Sequence, residues 1–169
     1  MTQREYVFPS VHIVAEYLHH LKETLSPLKL QKSLYFLYAY HGAMYGNKTD
    51  QLGIIEGTSE PSGLRLFPVS FEAWKYGPVI KDVYIRDRYH GGYNRTPDDN
   101  LQAVTQVQAV PEIRMFIDEL FEQIDAVSDF SLVERSHQDN SWKSCYREDS
   151  TQNLMCNDKI IEEYKERYL

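Results

Sequence analysis

The stretch from Leu28 to Met44 would make a helix with almost no purely polar face. Leu30, Leu34, Leu37, Tyr38 and His41 fall in one wide stripe at helical spacing, and Tyr35, Phe36, Ala39 and Tyr40 occupy much of what is left. A helix that is apolar nearly all round is stable only when other elements cover it, so the pattern predicts a fold wrapped about this segment. Lys29, Ser33, Phe36 and Tyr40 share the remaining side, where aromatic rings flanked by a cation are expected to stay partly exposed. Ser26-Pro27 opens the helix, because serine caps a helix N-terminus and proline is pre-set for the first helical position. The same pair stops an earlier helix predicted over residues 10–25, in which Val11, Val14, Ala15, Leu18 and Leu21 recur on one side.

Beyond the central helix, residues 46–63 shift to Gly, Asn, Asp, Ser, Thr and Pro, and read as an inserted loop reaching to about residue 64. Residues 64–73 mix the two periodicities and are expected to be extended, with Pro68 pushing them to an edge. Trp74-Lys75-Tyr76-Gly77-Pro78 reads as a turn, with Pro78 starting a helix that runs to Tyr89 and ends at Gly91-Gly92. Residues 96–110 are polar and Gln-rich, a loop with a strand over Ala103 to Ala109. The strongest amphipathic signal follows Pro111, with Ile113, Phe116, Ile117, Leu120, Phe121, Ile124 and Val127 set against Glu112, Asp118, Glu119, Glu122 and Asp125. Short helices are predicted over 130–136 and 142–147, and a further one from Asn157 carries Ile160, Ile161, Tyr164 and Tyr168. The expected architecture is mainly α: one compact multi-helix domain over residues 1–169, with a small extended or β-hairpin insertion after the second helix.

Composition narrows the function classes. A formal net charge of -7 opposes a phosphate backbone, so nucleic acid is a disfavoured partner. No run of about 18 apolar residues exists to cross a membrane. The absence of a basic start followed by an apolar run, together with two cysteines, Cys145 and Cys156, outside any CxxC, makes the cytoplasm the expected compartment. The six histidines form no HxxxH or HExxH, so no metal or other cofactor is expected. GxSxG, GxGxxG and Walker signatures are missing. A Cys145 nucleophile served by His137 needs only spatial proximity, but a cysteine beside a tyrosine in a polar helix more often has no such role. Trp74, Tyr76 and Trp142 offer large contact area at low rotamer entropy, and with Lys75 and Gly77 they form either a rigid corner or a binding platform.

Three stretches together resemble the Panacea domain, the SocA-like antitoxin family. They are Leu28-Lys29-Leu30-Gln31-Lys32-Ser33-Leu34-Tyr35-Phe36, then Phe71-Glu72-Ala73-Trp74-Lys75-Tyr76-Gly77-Pro78-Val79-Ile80, and finally Leu132 to His137 with Trp142. The middle stretch, EAWKYGPV, is the most specific, and the order and spacing span nearly the whole chain. The resemblance implies a largely helical domain, common in prophages, that neutralises a cognate protein toxin by binding it and in part of the family presents the toxin to a host protease. It places Leu30, Leu34 and Tyr35 in the core, Lys29, Gln31 and Lys32 on the polar side of their helix, and Trp74, Tyr76, Gly77, Pro78 and Val79 at a structural corner. His137 and Trp142 match the later motif, and Phe36, Tyr40 and Lys75 join the candidate contact residues. The insertion at 46–63 departs from the family, whose members have a shorter connection there. Two other classes stay open: a small hydrolase or nucleotide-modifying enzyme, which requires His137, Trp142, Lys29 and Gln31 to converge on a deep pocket, and a phage factor that binds a host protein without a toxin. An oligomer is open as well.

Overall fold

A computed structural model describes residues 5–46, 64–89, 92–93, 101–150 and 153–168. Among these residues the chain forms α1 (Val11–Leu21), α2 (Pro27–Tyr45), β1 (Glu72–Trp74), β2 (Gly77–Val79), α3 (Lys81–Tyr89), α4 (Gln102–Gln108), α5 (Pro111–Asp125), α6 (Asp129–Ser136), α7 (Asn140–Lys143) and α8 (Asn157–Tyr168). The class is mainly α with one two-stranded antiparallel hairpin after the second helix, as the sequence predicts. Residues 47–63 of the expected insertion lie outside the described residues.

Helix α2 is the axis of the fold, packed by α1, α3, α5, α6, α8 and β2. Its start follows the sequence: the Ser26 hydroxyl accepts from the Lys29 amide at 3.1 Å, with Pro27 in the first turn. Every residue from Leu30 to Ala39 is buried, which corrects two expectations. Gln31 and Lys32 do not form a polar outer side, and Ser33 and Phe36 are not exposed; only Lys29 and Tyr40 stay half-buried. Between Leu30 and Ala39 the surrounding elements leave the helix no outer side to hold polar groups in water. Near its C-terminal end α2 meets α8 so closely that a Cβ on Gly42 would stand 2.4 Å from Ile161 Cγ1, a notch that only glycine leaves open.

Four boundaries differ from the sequence reading, one of them the short helix expected over 142–147, which is α7 at Asn140–Lys143. Helix α1 ends at Leu21, not at residue 25, because Leu25 is buried from an extended link that sets Ser26 in the extended conformation its following proline favours. Pro78 does not begin a helix; it sits in β2 opposite Ala73, and α3 starts at Lys81. The strand read at Ala103 to Ala109 is helix α4, where Ala103, Val104 and Val107 are buried and the helix packs on α1, a long-range contact that overrides local polarity. Residues 96–100 lie outside the description. Helix α5 follows its strong period, burying Ile113, Ile117, Phe121 and Ile124. No described helix is long and apolar enough to cross a membrane.

Candidate functional site

The hairpin is held on all sides. The outer edge of β1 pairs with residues 153–155, where the Ala73 amide donates to Asn153 O at 2.7 Å and Met155 N to Phe71 O at 2.9 Å. From below, Gln31 grips Ile80 twice: its Oε1 accepts from the Ile80 amide at 2.8 Å and its Nε2 donates to the Ile80 carbonyl at 3.2 Å. Lys32, fully buried, donates from Nζ to the Pro78 carbonyl at 3.0 Å. Burial alone pushes its amine down to about 7 from the ordinary lysine value, because water is excluded from the charged form.

Between Lys32 and α6 runs Gly77, with φ +108°, and a Cβ there would lie 2.4 Å from Ser136 Oγ and 2.8 Å from Lys32 Cε. Both its left-handed backbone and its close approach to neighbours require glycine. The hairpin tip is clamped by the later motif. Trp142 Nε1 donates to the Trp74 carbonyl at 2.9 Å, and His137 Nε2 lies 2.9 Å from the Lys75 carbonyl. A carbonyl only accepts, so His137 carries its proton on Nε2. Trp142 is stacked between His137 at 4.2 Å and Tyr146 at 4.8 Å, while Trp74 donates to Glu72 at 3.0 Å and meets the Tyr84 edge. Nine of the candidate residues (Gln31, Lys32, Trp74, Lys75, Tyr76, Gly77, Pro78, His137 and Trp142) therefore converge on one corner. Of the tip residues, Lys75 and Tyr76 face solvent, Tyr76 at 57% exposure. A cleft of about 410 Å³ beside the tip is lined by Trp74, Lys75, Tyr146 and Arg147.

Phe36 and Tyr40 lie elsewhere, with Phe36, Ile124 and Leu132 as the buried floor of a groove of about 370 Å³ between α2, α5 and α6. Its walls are Tyr40, Leu120 and Val127, and Arg135 stands at one end. The Arg135 guanidinium donates from Nη2 to the Tyr40 hydroxyl at 3.0 Å and to the Tyr168 hydroxyl at 3.1 Å. Lys29 occupies a third place. It donates to the Asp125 carbonyl at 3.0 Å and pairs with Asp125 and Asp129 at 3.6 and 3.8 Å, alongside Lys22. The hydrogen bond from Lys22 holds the Asp125 carboxyl below its ordinary value, although burial opposes it. Lys29 thus lies apart from the corner, where Gln31 holds Ile80 while His137 and Trp142 hold the Lys75 and Trp74 carbonyls at the tip.

A buried polar cluster had no counterpart in the sequence reading. Asp139, 1% exposed, accepts from the Tyr35 hydroxyl at 2.6 Å, the Tyr164 hydroxyl at 2.7 Å and Arg167 Nη1 at 3.2 Å. Burial raises both phenols well above the ordinary tyrosine value, so their protons stay on oxygen and point at the carboxylate. Glu163 meanwhile accepts from the Asn140 and Ser141 amides at 2.7 and 2.9 Å, capping α7 from α8. The phenol donors lie 104 and 25 residues from Asp139, so no local pattern could reveal the cluster. Among the described residues no group of three or more His, Cys, Asp and Glu is placed to hold a metal ion. Comparison of the chain with protein-family models, with curated proteins and with solved structures finds no match in any of the three.

Proposed function

We propose that this chain is an antitoxin of the SocA-like kind, which neutralises a protein toxin by covering it. The observation that carries the reading is a division of labour between the two regions above. The residues that resemble the Panacea motif are spent on holding the hairpin, and an apolar groove is left open at the surface between α2, α5 and α6. A buried floor with half-buried Tyr40 and Leu120 and exposed Val127 at the rim makes a surface suited to a second polypeptide. The enzymatic alternative requires Lys29, Gln31, His137 and Trp142 to meet in one cavity, and Lys29, held by Asp125 and Asp129 away from the hairpin that the other three grip, gives it no support.

Co-expression with the product of the adjacent open reading frame tests the proposal. Growth arrested by that product is expected to recover when this chain is induced, and the two proteins to co-purify as a complex burying more than about 1,000 Å². Arrest that persists at full expression of the folded chain overturns it.

A further inference from the structure

Arg135 is a cation whose charge is unanswered at the end of an apolar groove. Its two hydrogen bonds, to Tyr40 and Tyr168, both leave from Nη2, and both acceptors are neutral hydroxyls. No carboxylate among the described residues pairs with it, while the acids at the α5–α6 junction, Asp125 and Asp129, are engaged by Lys22 and Lys29. A guanidinium presents five N–H groups in a planar fork. With both hydrogens of Nη2 directed at phenols, the outer edge of the group at Nη1 is left to donate to an anion, and a carboxylate oxygen there would answer the charge. The phenols hold this edge in place: Tyr40 and Tyr168 pack on each other at 5.2 Å, and the guanidinium carbon lies 5.5 Å from the Tyr168 ring centre. Preorganisation of this kind lowers the entropy lost when a partner docks.

From this geometry we infer that the groove between α2, α5 and α6 receives an apolar segment of the partner polypeptide whose aspartate or glutamate side chain pairs with Arg135 through Nη1. The inference deepens the antitoxin reading by naming the contact face and the chemistry that fills it. Large apolar side chains of the segment lie on Phe36, Ile124 and Leu132 between Leu120 and Val127, and the carboxylate fixes their register.

The test uses random twelve-residue peptides displayed on phage and panned against the intact chain, so it needs no knowledge of the toxin. Enriched peptides are expected to carry one acidic residue flanked by large apolar ones. A labelled copy of the best binder should weaken about tenfold or more against Arg135→Gln, less against Arg135→Lys, and beyond detection against Val127→Asp, with Tyr76→Ala unchanged. Peptides without an acidic residue, or binding indifferent to both Arg135→Gln and Val127→Asp, overturn the inference. Because Arg135 also ties Tyr40 to Tyr168, each variant is first checked by thermal unfolding; if Arg135→Gln is unfolded, Val127→Asp and replacement of the peptide's acid by its amide decide. A dimer in sedimentation that Val127→Asp dissolves would give the groove to a second copy and overturn the assignment. Failure of the growth rescue with intact peptide binding sinks the antitoxin reading alone. Rescue that survives both groove variants sinks the groove as the toxin contact alone.

Discussion

On one side of α2, Gln31 and Lys32 reach into the hairpin and are wholly covered; on the other, Phe36 floors a groove and Tyr40 stands at its wall in contact with water. The covered side is polar and the wetted side is apolar, the reverse of what a surface helix shows. Burying an amide and an amine is tolerable only because each finds a carbonyl or amide of one particular segment, and that requirement fixes the hairpin in a single place. The groove carries no such internal demand. Phe36, Ile124 and Leu132 belong to the core, and the part of the groove that reaches solvent is its rim at Tyr40, Leu120 and Val127. One face of the helix secures the shape of the molecule and the other presents a surface.

The contrast breaks most visibly at the corner. Gly77→Val puts a branched side chain at a positive φ against Ser136 and Lys32, and is expected to cost about 3–5 kcal/mol in urea unfolding. Asp139→Ala removes the acceptor of two buried phenols and one guanidinium, with an expected loss of about 2–4 kcal/mol by the same measurement.

Lys32 sharpens the comparison through pH. Its amine titrates near 7 when folded and near the ordinary lysine value when unfolded, so between those limits the unfolded chain holds more protons and stability rises with pH. Lys32→Met should therefore be the more stable protein at pH 6, by something of the order of 2 kcal/mol, with the advantage shrinking towards pH 9.5. A difference between wild type and variant that stays flat over this range would show that Lys32 is not kept from water. The smallest effect is expected at a ring that packs on nothing in the core. Phe130→Ser should shift unfolding by no more than about 0.5 kcal/mol, because the ring is already largely in solvent. A loss as large as that of the corner variants would show that the ring is packed and not exposed.

The fold was legible wherever one helix face decided the matter. Helix α5 shows its period plainly, and Ser26-Pro27 marks the start of α2 by capping chemistry that operates within a few residues. Helix α4 was not legible, since a seven-residue stretch rich in Gln becomes helical by packing Ala103, Val104 and Val107 on α1. The corner was half legible. Its residues stand out by type, but nothing in the sequence tells that Lys32 lies under a proline carbonyl, or that Gly77 is required by a serine from α6. Arg135 gave no sign at all, because its meaning comes from Tyr40 and Tyr168, which lie 95 and 33 residues away.

Helix α8 closes three of these arrangements at once: it fills the notch at Gly42, delivers Tyr164 and Arg167 to Asp139, and brings Tyr168 to Arg135. On the ribosome, everything up to α7 must wait for it. Until α8 leaves the exit tunnel, the aspartate has lost two of its donors and the arginine one of its two anchors. A nascent chain should thus gain its tightest packing and its finished groove in one late step, and a half-made molecule would have little hold on any partner.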